Sequence, residues 1–170
     1  MSGDTLMKLH AQPTLTLFCG LPGSGKTTLA KRLEQAGKGI RICTDEWQEQ
    51  LGIDHSNEEF HEKLQARLYQ LALTLLRSGQ DVILEDGLWQ QSERSQKRAD
   101  AKRSNARTEM HVFDVPFDEL WRRLEYRNDT LAPGAVPITR QELERYWHLF
   151  QRPDDDEHEL RLFDAYTIYR

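Results

Sequence analysis

Short apolar runs alternate along the chain with longer stretches in which hydrophobic residues recur every three or four positions. Thr14 to Cys19 is apolar, rich in β-formers and bounded by Pro13 and Gly20, which predicts a buried strand after a loose lead-in at 1–13. Thr27 to Gln35 reads as a helix stopped by Gly37. Gly39 to Thr44 predicts a second strand, and Asp45 to Leu51 a short helix. Ser56 and Glu59 fit a capping box, and Phe60, Leu64, Leu68, Leu71 and Leu75 then form one stripe of a longer helix ended by Gly79. Asp81 to Glu85 is a third strand, Ser92 to Ala106 a nearly all-polar helix, and Glu109 to Val115 a fourth strand. Asp118 to Asn128 reads as a helix with Leu120, Trp121 and Leu124 inward. The segment 129–138, with Pro133, Gly134 and Pro137, reads as a loop. Thr139 and Glu142 form another capping box, for a helix lined by Leu143, Tyr146, Trp147 and Phe150. Ala165 to Tyr169 is a fifth, edge strand.

Strands that alternate with helices call for an α/β fold, a parallel sheet covered by helices on both faces. The 170 residues suit one domain spanning 1–170, and no repeat or low-complexity linker divides them. A net charge of -5 argues mildly against a protein that coats long nucleic acid, although a local basic site stays open. Cys19 and Cys43 end apolar runs, outside any CxxC pair, and read as small core residues. No apolar stretch approaches the roughly 20 residues that span a bilayer, and no secretory leader is recognisable, so a cytoplasmic location is expected.

Chemistry enters at Gly20-Leu21-Pro22-Gly23-Ser24-Gly25-Lys26-Thr27, which matches GxxxxGK[ST] between a predicted strand and a predicted helix. Glycines let the backbone turn and bring its N–H groups against phosphate oxygens. Lys26 would reach the β- and γ-phosphates, and the Thr27 hydroxyl would ligate Mg²⁺. The positive end of the following helix points at the anion. With Thr28 next in line, Gly20 to Thr28 is the expected nucleotide-binding set. No NKxD segment is present to read guanine, and the chain is short for an AAA+ module with its own helical lid. Both absences favour a small kinase.

Five stretches carry a resemblance: GLPGSGKTTLA (20–30), TDEWQEQLGID (44–54), VILEDGLWQQSER (82–94), VFDVPFDELWRRLEYRN (112–128) and ITRQELERYWHLFQRP (138–153). Together they resemble the small AAA_33-type P-loop kinases, a group related to zeta toxins, chloramphenicol phosphotransferase and polynucleotide 5′-kinase. The resemblance implies a three-layer P-loop NTPase fold, with about five parallel strands in the nucleotide-kinase order 2-3-1-4-5 and a small lid at about 123–140. It also implies ATP and Mg²⁺ as cofactors. Asp45, at the position of the family's aspartate after the second strand, would serve as general base or orient the acceptor hydroxyl. Its alternative is a helix N-cap, a role for which Thr44 competes. The family's metal-holding acid aligns with Glu85, although relatives more often carry Asp followed by an apolar residue. Glu85 and Asp86 therefore both stand as metal candidates beside Thr27.

Arg123 and Arg127 are four apart on one helix face and lead into the lid. In relatives, lid arginines at this spacing contact the nucleotide and the transferring phosphoryl group. Their alternative is a surface ion pair with Glu119 or Glu125. The polar helix carries Arg94, Lys97, Arg98, Lys102 and Arg103, either as a basic rim or as a solvated face. Arg94, within the family-like stretch, is placed on the acceptor side. Trp47 and Trp89 either wall the acceptor pocket or pack in the core. His61 and Glu62 do not complete an HExxH motif, because Gln65 stands at the fourth position. The expected protein is a Mg-ATP-dependent phosphotransferase with a small-molecule hydroxyl acceptor. A polynucleotide 5′-kinase, an NTP-binding regulatory protein and a toxin-like kinase acting on a cell-wall sugar nucleotide are the rivals.

Overall fold

The structure is a computed structural model that describes residues 11–130, 137–153 and 158–170. Its sheet has the strands β1 (Thr14–Cys19), β2 (Ile40–Ile42), β3 (Val82–Leu84), β4 (Arg107–Phe113) and β5 (Ala165–Tyr169). They lie in the order β2-β3-β1-β4-β5, and every pairing is parallel. The expected order holds.

Alternation along the strands divides the core into two layers. Leu15, Leu17, Val82, Leu84, Met110 and Val112 face one way, against α3 (Glu58–Arg77) and α4 (Gln91–Arg103). Phe18, Ile83 and Phe113 face the other way, against α1 (Lys26–Gln35), α5 (Phe117–Asp129) and α6 (Arg140–Leu149). Central strands buried on both faces read as continuous apolar runs for this reason.

Local details depart from the sequence reading. Asn57, not Ser56, caps α3, accepting a hydrogen bond from the Phe60 N–H at 3.0 Å, while Ser56 turns to Asp54. The buried stripe of α3 runs through Leu68, Tyr69, Ala72, Leu73 and Leu76, and Leu71 is exposed. A helical stripe is about 100° wide, so small Ala72 and Tyr69 share it with the leucines. The second capping box, Thr139 with Glu142, forms as expected. Residues 131–136 of the expected lid and 154–157 of the acidic run lie outside the described residues. Among those described, no helix is long and apolar enough to cross a membrane.

Because all five strands run the same way, the loops after β1, β2 and β3 emerge at one edge of the sheet. That edge is where open α/β sheets bind ligands.

Candidate active site

The loop after β1 is held from below and from one side. The Gly20 N–H donates to the Gly87 carbonyl at 3.0 Å, and the Trp89 indole N–H donates to the Gly20 carbonyl at 3.1 Å. Gly23 and Gly25 have φ of 79° and 106°, a region that side chains strain. A Cβ on Gly23 would also meet the Leu124 side chain at 2.9 Å, so α5 lies directly on the loop. Gly25 caps α1 with no side-chain hydrogen bond, and no acidic residue stands in the first turn. The first N–H groups of α1 therefore keep their affinity for an anion.

Lys26 folds its ammonium under the loop, where it donates to the Leu21 carbonyl at 2.8 Å and reaches Ser24 Oγ at 3.4 Å. Burial pulls the ammonium down from 10.5 to about 8, against the fields of Glu85, Cys19 and Asp45, while Arg127 pushes in the same direction as burial. Lys26 is thus a desolvated cation that holds a carbonyl and a hydroxyl oxygen where phosphate oxygens would bind more strongly.

Glu85 and Asp86 follow β3 on successive residues and diverge. The Thr27 hydroxyl donates to Glu85 Oε1, and Arg41 Nε donates to Glu85 Oε2 at 2.7 Å. Arg41 also donates to Glu46 at 2.7 Å, and its Nη2 is buried without a partner. Asp86 turns toward α3, where Gln65 Nε2 donates to it at 3.3 Å. Burial raises the Asp86 carboxyl, with Asp45 adding to the rise and Gln65, Lys97 and His61 opposing it. Of the two metal candidates, Glu85 shares the Thr27 hydroxyl and Asp86 does not. Thr27 and Glu85 offer hard oxygen donors, the chemistry Mg²⁺ takes.

Asp45 is the second residue of α2 (Thr44–Gln50), whose N-cap is Cys43 with no side-chain bond. The capping alternative therefore falls for both Thr44 and Asp45. The Asp45 side chain is 74% exposed and lies 3.7 Å from His61 Nδ1, which is itself 2.8 Å from Gln48 Oε1. On the other flank, Arg123 donates to Glu119 at 2.6 Å and touches the Ser24 carbonyl at 3.4 Å. Arg123 thus makes the surface pair and also reaches the loop. Arg127 acts on Lys26 through its charge and has no ion pair among the described residues. Arg122 is committed to Glu119 by two bonds of 2.8 Å.

Two acceptor-side assignments need correction. Arg94 is fully buried: Nε and Nη2 donate to the Glu159 carboxylate at 2.7 and 3.0 Å, and Nη1 donates to the Leu88 carbonyl at 3.0 Å. A guanidinium so committed braces the segment after β3 from beneath and does not face an acceptor. Trp89 also lies elsewhere, with its indole on Gly20 and its ring 5.0 Å from Tyr146 in the layer with α6. Trp47 is 41% exposed, which removes the core reading for that residue. Arg94→Leu is expected to cost about 3–5 kcal/mol, because it strips a buried carboxylate of its cation. The double change Arg94→Leu/Glu159→Leu is expected to recover most of that in urea unfolding. Equal losses in both variants would contradict the pairing.

Arg41 has no place in the sequence reading, His61 and Gln65 enter it only as a failed HExxH motif, and Lys97 only as one of the cations of the polar helix. His61 and Gln65 are four apart on α3, a spacing that puts both on one face, and Arg41 is a charge inside a strand. Those were the available signals.

The AAA_33 family model, described as an AAA domain, matches residues 15–153. Among solved structures, a candidate kinase from Chloroflexus aurantiacus matches with a TM-score of 0.72 at 21% identity, covering 94% of this chain and 88% of that one. The Pnkp1/Rnl/Hen1 RNA repair complex matches with a TM-score of 0.68 at 22% identity, over 84% of this chain and 45% of that one. The Mycobacterium tuberculosis APS kinase CysC, in complex with AMPPNP and APS, matches with a TM-score of 0.57 at 18% identity, over 92% and 88%. This chain spans less than half of the chains it matches in the RNA repair complexes, 38% and 45%. At such identities the likeness is one of fold, and the fold is that of the P-loop kinases. No curated protein matches the chain at a significant level.

Proposed function

From the premise that this chain belongs to the AAA_33 family, we propose that it is a phosphotransferase moving the γ-phosphoryl group of ATP to a hydroxyl of a small-molecule acceptor. One observation carries the reading: the carboxylates that act on Lys26 at the sheet edge have separate partners. Glu85 serves the Thr27 hydroxyl, while Asp45 lies toward α3 beside His61, and both charges act on Lys26. A protein that only hydrolyses or senses a nucleotide has no need of the second carboxylate.

The loop amides, the start of α1 and Lys26 would hold the phosphates. Thr27 and Glu85 would hold Mg²⁺, directly or through water, and the ion would offset charge on the phosphate oxygens. Asp45 would accept the acceptor hydroxyl's proton as that oxygen bonds to the γ-phosphorus. The bond from phosphorus to the β-bridging oxygen breaks, and ADP leaves with the electron pair. Arg123 and Arg127 would counter the charge spread over the phosphoryl oxygens. Most of the acceleration would come from positioning and fixed charge.

The likeness to RNA repair complexes favours a second reading, a polynucleotide 5′-end as acceptor. Against it, two of the cations of α4 are committed to carboxylates, Arg94 to Glu159 and Arg103 to Asp100. A mass-spectrometric comparison of cell-extract metabolites incubated with Mg-ATP and the protein tests both. A metabolite that gains one phosphoryl group is expected. Labelling of 5′-hydroxyl oligonucleotides alone, with steep salt dependence, would favour the second reading. No transfer to either would defeat the proposal.

A further inference from the structure

The face of α3 and α4 that meets Asp86 holds a cation without a partner. The Lys97 ammonium sits 3.3 Å from the centroid of the Tyr69 ring. Tyr69 is buried, and its hydroxyl is committed to Asp100 at 2.6 Å. Asp100 in turn takes Arg103, so neither group is left to pair with Lys97. Among the described residues Lys97 makes no hydrogen bond and no ion pair, although Asp86 is the strongest favourable charge acting on it.

Asp86 is its counterpart. It is 91% buried, accepts one long hydrogen bond from Gln65 and has no cation in contact. Two opposite charges in one partly desolvated place normally close into an ion pair, because each alone costs several kcal/mol. Here they stay apart. The Tyr69 ring holds Lys97 by its face, and Gln65 holds Asp86. The separation leaves a donor and an acceptor, with Asp45 and His61 near enough for their charges to act on Asp86.

We infer that Lys97 selects the acceptor, a small polyhydroxylated molecule bearing a carboxylate or a phosphate, with its anionic group on the Lys97 ammonium and a hydroxyl on Asp86. The inference rests on the kinase reading above and adds the acceptor class. Lys97 is here a specificity residue of the acceptor subsite. An aromatic platform under the ammonium suits this role, because it holds the cation without consuming its hydrogen-bond donors.

The test uses the full chain saturated with Mg²⁺ and a non-hydrolysable ATP analogue, so that the phosphate loop is occupied. Calorimetric titration compares sorbitol, gluconate and sorbitol 6-phosphate, and glycerol, glycerate and glycerol 3-phosphate. In at least one series an anionic member is expected to bind at least about tenfold tighter than its neutral counterpart, equivalent to about 1.4 kcal/mol. The two anionic arms distinguish carboxylate from phosphate. Lys97→Gln is expected to bring the ratio close to one, and Lys97→Arg to retain it, with melting curves confirming that both fold. Equal binding of neutral and anionic members, a ratio that survives Lys97→Gln, binding of none, or binding of a 5′-hydroxyl oligonucleotide alone would each overturn the inference. Radiolabel transfer from ATP separates the two readings. Transfer without anion preference defeats the role of Lys97 and leaves the kinase standing. Anion-selective binding without transfer does the reverse.

Discussion

Lys26→Ala is expected to reduce phosphoryl transfer at least about a thousandfold, the scale set by losing a preorganised charge at the phosphoryl group. The variant should also lose a particular pH dependence. In the free protein the Lys26 ammonium is pulled down to about 8, chiefly by burial. Bound phosphates favour the charged form, so nucleotide binding above pH 8 takes up a proton. Affinity is then expected to fall about tenfold per pH unit above that point. Calorimetry with ADP in two buffers of different ionisation enthalpy measures the uptake directly. A flat affinity between pH 7 and 9.5 in the parent protein would contradict this role for Lys26. Stability moves the opposite way. Between about 8 and 10.5 the unfolded chain binds more protons at this lysine than the native chain. This one group therefore makes the nucleotide-free protein more stable as pH rises through that window.

Asp45→Asn is expected to lower transfer by about 10²–10⁴-fold, the usual contribution of a general base, while nucleotide affinity stays within about threefold. The side chain is exposed and caps nothing, so the change should leave the melting temperature close to the parent value. That separates chemistry from folding more cleanly than most active-site changes allow. Single-turnover transfer to whichever acceptor the metabolite comparison yields is the measurement. A variant that transfers at the parent rate would move the base elsewhere, and Asp86, with its raised carboxyl, would be the next group to replace.

The donor half of the candidate site was legible because its chemistry is contiguous. A phosphate loop needs a strand, eight residues and a helix in sequence, and Gly20 to Thr27 supply them between β1 and α1. The strand order was likewise legible through the family resemblance. The proposed acceptor half was not, because its residues lie on α2, α3, α4 and the end of β3. His61 and Gln65 belong to no local motif, and Lys97 sits on a helix that reads as a basic rim or a solvated face. Arg94 was misplaced for a related reason. Its partner Glu159 lies 65 residues away, at the end of an acidic run that reads as surface. No local pattern announces a buried long-range ion pair. Trp89 was ambiguous until its indole N–H was seen on the Gly20 carbonyl.

The Arg94–Glu159 pair has a consequence for the order in which the molecule matures. Arg94 anchors the carbonyl after β3, one residue from the indole that steadies the phosphate loop. Its carboxylate partner is supplied by the segment after α6 that also lays down β5. While the chain is being made, β1 to β4 can pair before that stretch leaves the ribosome, and the guanidinium beneath the loop then lacks Glu159. Closing a contact across so many residues costs chain entropy, which the edge strand helps to offset. Competence to hold a nucleotide would therefore wait for the segment that carries Glu159 and β5, which acts as the latch.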